Sequence, residues 1–130
     1  MTKIAIFDVC DTLYDVNTTF SFLDFYLRKN KKYLIFRRIS KFFLIKLLNY
    51  ILFRLFKKDL IRIFATYFLK NHNLVNIKNS SSIFVKTILS KVIKKKILTY
   101  LKYYKENDYK IVFMSGSYDF IIEEVSNYFG

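Results

Sequence analysis

Two places in this chain put acids or small hydroxyls directly after a short apolar run. Asp8 closes the run Ile4–Phe7, and Cys10, Asp11 and Thr12 follow it in "FDVCDTLYD". Ser115, Gly116 and Ser117 follow a second run, Ile111–Met114, in "IVFMSGSYDF". A carboxylate can attack phosphorus and carry the phosphoryl group as an aspartyl-phosphate. Such chemistry usually needs Mg²⁺, which offsets the repulsion between carboxylate and phosphate. A serine hydroxyl and a backbone N–H beside a helix N-terminus are suited to hold the anion. Asp8 is thus the candidate nucleophile, with Ser115 and the Gly116 N–H as candidate phosphate holders.

These residues need elements that bring them together. "KIAIF" (Lys3–Phe7) and "YKIVFM" (Tyr109–Met114) are short, Ile-rich and bounded by polar residues, as expected of buried parallel strands. Ligands of open α/β sheets gather at the carboxyl ends of such strands, so adjacent strands would share one crevice for Asp8 and Ser115. The tail "YDFIIEEVSNYFG" reads as an amphipathic helix starting after Ser117, with its acids toward the N-terminal half, where the helix dipole favours them. Ile88–Asn107 reads as one helix leading into the second strand. "TFSFLDFYL" reads as a helix capped by Thr18 or Thr19. Tyr33–Lys58 is long and apolar, and its polar positions do not stay on one face, which predicts two helices with a break near Ser40–Lys46. Charges interrupt it too often for a membrane span, which needs ~20 mostly apolar residues. "NHNLVNIKNSSS" (Asn71–Ser82) is the most loop-like segment.

The two motifs together resemble the haloacid dehalogenase (HAD) superfamily. "FDVCDTLYD" is similar to its first motif, Asp-x-Asp-x-Thr after a hydrophobic strand, and "IVFMSGSYDFI" to its second, a Ser or Thr ending another core strand. Ser-Gly-Ser followed by an aromatic and then "NYFG" resembles the phosphoserine-phosphatase-like branch, subfamily IB, in which a helical cap follows the first motif. The resemblance implies an α/β fold: a partial Rossmannoid core of parallel strands from residues 1–14 and 96–130, with residues 15–95 as an inserted all-helical cap. It implies a Mg²⁺-dependent phosphatase acting on a small phosphomonoester. By the same resemblance, Asp8 is nucleophile and Mg²⁺ ligand, Cys10 offers its backbone carbonyl to the metal, and Thr12 hydrogen-bonds near the nucleophile. Ser115 and Gly116 hold the phosphoryl group.

Two departures stand out. The usual acid/base Asp is replaced by Cys10, and a thiol with reference pKa ~8.5 is a poor proton donor to an alkoxide. Asp11, in a position that is often Gly, is the neighbouring substitute, with a solvated loop acid as its simpler reading. A dehalogenase-type hydrolase, whose leaving group needs no proton, is an alternative on this ground, though Ser-Gly-Ser argues against it. The Lys and acidic pair that complete the family's site have no counterpart before Gly130. The expectation is therefore an N-terminal portion of such a hydrolase, or a catalytically inactive remnant.

Charge divides the chain further. Net charge is +13, yet residues 28–105 hold 21 Lys/Arg against Asp59 alone, while the segments on either side are acidic. This basic middle fits a cap that steers anionic substrates. It also fits a module attached peripherally to anionic membrane through Tyr33–Lys58, whose Lys/Arg with Phe, Leu and Tyr is the make-up of interfacial helices. No recognised motif supports nucleic-acid binding. One cysteine, Cys10, allows no internal disulfide and suggests a reducing, cytoplasmic setting, at the inner face of the membrane if peripheral. His72 is the only histidine, and it is expected to be solvated.

Overall fold

The computed structural model describes residues 2–130. The chain divides into two compact units, one of Met1–Phe22 with Leu74–Gly130 and the other of Leu23–Asn73. Residues 15–22 and 74–95 therefore belong to the unit that holds the strands.

In the first unit, β1 (Ile4–Asp8) pairs in parallel with β2 (Lys110–Met114), with Ile4 opposite Lys110 and Asp8 opposite Met114. A parallel pair needs a long crossover, and here it is most of the chain. The architecture is that of a partial Rossmannoid core with helices between its two strands. After β1 a tight helical loop, Val9–Leu13, leads towards α1 (Thr18–Tyr26), which runs on into the second unit. The chain rejoins the first unit with α5 (Leu74–Thr87), a short 3-10 turn at Leu89–Val92, α6 (Lys95–Glu106), β2 and α7 (Asp119–Phe129). Phe22 anchors the core. It is fully buried, with its ring edge-on to Phe84 at 5.5 Å and to Phe120 at 5.3 Å. Burying one such ring contributes about 1.5–3 kcal/mol.

Four local expectations need correction. Asn71–Ser82 is not a loop: α5 begins at Leu74 and buries Ile77, Ser81, Phe84 and Val85. These lie at helical spacing, and packing against α7 outweighs the weak helix propensity of Asn and Ser. Ile88–Asn107 is not one helix. Ile93 forms an antiparallel bridge with Tyr14, flanked by Asp15 N–H to the Val92 carbonyl and Lys94 N–H to the Leu13 carbonyl. These bonds hold the stretch before α6 extended. Asn17 caps α1, its side chain accepting from the Phe20 N–H, while Thr18 and Thr19 are buried in the first turn. Finally, β1 is buried on one side only. Ala5 and Phe7 face the core, whereas Ile4 is 55% and Ile6 63% exposed.

In the second unit, α2 (Lys31–Ile39) and α3 (Phe43–Phe56) are separated near the expected break, and α4 (Leu60–Tyr67) follows. Asn30 caps α2 by accepting from the Tyr33 N–H, and Asp59 caps α4 by accepting from the Arg62 N–H. Tyr33 is fully buried, edge-on to Phe68, and its hydroxyl donates to Asp24 at 2.5 Å. Arg37 pairs with the same carboxylate at 3.0 Å. Asn49 of α3 donates to Asp59 and accepts from the Ile61 N–H, both at 3.1 Å. His72 is exposed and not isolated, since the Tyr26 hydroxyl lies 3.1 Å from its Nδ1.

Candidate active site

The site grows from the end of β1. Asp8 is the last strand residue, and its carboxylate is exposed. The helical loop brings Thr12 back over it, and the Thr12 hydroxyl donates to Asp8 Oδ2 at 2.5 Å. That bond holds the carboxylate in one orientation. The register puts Met114 beside Asp8, so Ser115 lies one residue beyond Asp8's partner, at the same edge of the sheet. Neighbouring strands are ~4.8 Å apart, so the two segments lie side by side at that edge.

Behind β2 the backbone is tied by its own hydroxyls. The Ser117 N–H donates to Ser115 Oγ at 3.2 Å, and Thr19 Oγ1 donates to Ser117 Oγ at 3.3 Å. The first turn of α1 is thereby joined to the segment that carries Ser115 and Gly116. The N-terminus of α7 comes three residues after Gly116 and begins with Asp119, which already places a negative charge there. The groove along the free edge of β2 meets this site only at Ser115.

Cys10 does not stand free as an acid would. It is extended (φ −76°, ψ 126°), and its half-buried Sγ accepts the Thr18 N–H at 3.3 Å, at the start of α1. It acts as a joint between the loop and the helix. Asp11 turns into the left-handed region, φ 59° and ψ 0°, which Asp tolerates better than most residues. Its carboxylate is exposed and lies 3.9 Å from Cys10 Sγ.

The haloacid dehalogenase-like hydrolase model matches residues 5–130, both strand-end motifs included. The chain belongs to that family. No curated protein and no solved structure matches it.

Sequence reasoning missed one cation at the site of this HAD-like hydrolase. Lys94, some eighty residues from the first motif, donates from Nζ to the Asp11 carbonyl at 2.7 Å and pairs with Asp15 at 3.4 Å. It holds the left-handed turn that follows Cys10. Nothing in "KKK" marked Lys94 from its neighbours; only the Tyr14–Ile93 bridge brings it there. The loop also stands on a buried tyrosine. Tyr14 is fully buried, and its hydroxyl has no hydrogen-bond partner among the described residues. Burial, with a smaller push from nearby Tyr128, raises its phenol well above the ordinary value.

Proposed function

We propose that this HAD-like hydrolase is a phosphatase of the phosphoserine-phosphatase-like type, acting on small phosphomonoesters through Asp8. The observation that carries this reading is the exposed Asp8 carboxylate, oriented by Thr12, at the sheet edge it shares with Ser115. Asp8 attacks phosphorus, forming an oxygen–phosphorus bond as the bond to the leaving oxygen breaks. Water then attacks the aspartyl-phosphate, releases inorganic phosphate and restores the carboxylate. Ser115 Oγ and the Gly116 N–H hold the phosphoryl oxygens.

Among the described residues, no three or more His, Cys, Asp or Glu side chains gather at one point. Mg²⁺ nevertheless takes as few as one or two carboxylates, with waters and substrate phosphate completing its shell. The hard oxygens of Asp8 and the Cys10 carbonyl suit it. Bound there, the ion would offset the repulsion between carboxylate and phosphate.

The departing oxygen must gain a proton if it leaves as an alkoxide. Cys10 is occupied by the Thr18 N–H, and the Asp11 carboxylate lies 3.9 Å from its Sγ. Substrates whose leaving group is stable as an anion, such as aryl or acyl phosphates, bypass that need. Cys10 also favours a second reading, displacement of halide from carbon by the same Asp8 carboxylate, since halide departs without a proton. The lone free cysteine suits a reducing, cytoplasmic setting. Turnover of p-nitrophenyl phosphate with Mg²⁺ tests the main reading: it is expected in the wild type and lost in Asp8→Asn. Release of chloride from a 2-chloro acid without any phosphatase activity would move the assignment to the second reading.

A further inference from the structure

The most unusual surface of the second unit is α3, a fourteen-residue helix with no buried residue. Leu44, Leu47, Leu48, Ile51 and Leu55 recur at i, i+3, i+4, i+7 and i+11. At 100° per residue they form one stripe about 100° wide. All five are exposed, Leu44 at 75% and Leu55 at 68%. The side that packs on α4 is centred on Asn49, which bonds Asp59 and the Ile61 N–H; of the stripe only Leu48 borders the groove with Leu60, Ile61 and Phe64. Water therefore covers an aliphatic face of the kind proteins normally bury.

The charge around the stripe says what covers it. Leu23–Asn73 carries 13 Lys/Arg against Asp24 and Asp59, and both acids are already paired, with Arg37 at 3.0 Å and Arg62 at 3.9 Å. Lys41, Lys46, Arg54, Lys57 and Lys58, on or beside α3, have no acid partner among the described residues. A second copy would bring the same excess of positive charge against this one. A polyanion such as nucleic acid would leave the aliphatic stripe wet. An anionic bilayer answers both features, with acyl chains for the stripe and phosphate headgroups for the cations. No helix among the described residues is long and apolar enough to cross a membrane. At 1.5 Å per residue α3 is about 21 Å long, short of a ~30 Å hydrocarbon core, so it lies in the interface plane.

We propose that α3 docks the protein on an anionic lipid surface, its Leu44–Leu55 stripe in the acyl boundary and its flanking Lys and Arg at the headgroups. This does not depend on the chemistry at Asp8. The test is flotation of the full chain with phosphatidylcholine vesicles, with and without phosphatidylserine, in a gradient that leaves aggregate at the bottom. The protein is expected to float with phosphatidylserine vesicles and to lose binding as salt rises. Ile51→Gln with Leu55→Gln, both exposed and so harmless to folding, is expected to weaken binding on the order of tenfold or more. Lys57→Gln with Lys58→Gln removes about fivefold per lysine. Circular dichroism checks that each variant keeps its helices. The proposal is overturned by absence of flotation at low salt, by equal flotation without phosphatidylserine, or by binding indifferent to Ile51→Gln and Leu55→Gln. A dimer abolished by those substitutions, without vesicle binding, assigns the face to a second copy instead.

Discussion

The loop after β1 and the helix α3 handle their surroundings in opposite ways. Around Asp8, polar groups are spent on each other. Thr12 holds Asp8, Lys94 holds the Asp11 carbonyl, the Thr18 N–H holds Cys10, and Thr19 holds Ser117. On and beside α3, five cations have no acid partner among the described residues, and an aliphatic stripe faces water. The loop is built for a fixed geometry, which a reaction requires. Under the docking proposal, the helix meets something broad, apolar and negative. One chain thus separates a site that must be rigid from a surface that need only be complementary.

Four substitutions break or sharpen this contrast. Asp8→Asn keeps the shape of the loop and removes the nucleophile, so turnover is expected to fall on the order of 10³-fold or more while vesicle binding stays unchanged. Activity assays beside flotation check the separation, and a parallel loss of both would erase it. Cys10→Asp puts an acid where the thiol now sits. General acid catalysis contributes ~10²–10⁴-fold, so turnover of an alkyl phosphate is expected to rise by about a hundredfold, and that of p-nitrophenyl phosphate far less. Equal gains on both substrates would show that the introduced acid does not protonate the leaving group. Thr12→Val removes a hydrogen bond to a charged group, worth about 1.5–3 kcal/mol, so kcat is expected to drop roughly 10–100-fold. A change in KM alone would place Thr12 in binding rather than in orienting Asp8.

The smallest effect concerns Tyr14, which supports the loop from below. Its raised phenol pKa means that the folded state holds this proton more tightly than the unfolded chain, whose phenol titrates near ~10. The stability it contributes is complete below that pH and is lost as pH rises above it. Tyr14→Phe removes a buried hydroxyl that has no partner among the described residues, so it is expected to add about 1 kcal/mol at neutral pH and to flatten the alkaline loss. Urea unfolding at neutral and alkaline pH measures both.

The strands, and the placement of Asp8 and Ser115 at their ends, were legible because their signals are local. An apolar run ending in Asp, or in Ser-Gly-Ser, needs no distant information. What stayed hidden depends on partners far along the chain. Lys94 is one lysine among many until the Tyr14–Ile93 bridge places it. "NIKNSSS" looks like a loop because Asn and Ser disfavour helices, and only contact with α7 makes α5 worth forming. Ile4 and Ile6 read as core because Ile in a short strand is usually buried, yet among the described residues the sheet has two strands and their face of it stays exposed. The break between α2 and α3 was visible because the polar positions drift around the helix.

The central claim is that Asp8 carries the phosphoryl group. The direct measurement is peptide mass mapping after acid quench of the protein turning over p-nitrophenyl phosphate with Mg²⁺. The account predicts a phosphoryl adduct on the peptide that holds Asp8, absent from Asp8→Asn together with turnover. An Asp8→Asn protein that hydrolyses the substrate as fast as the wild type would contradict it.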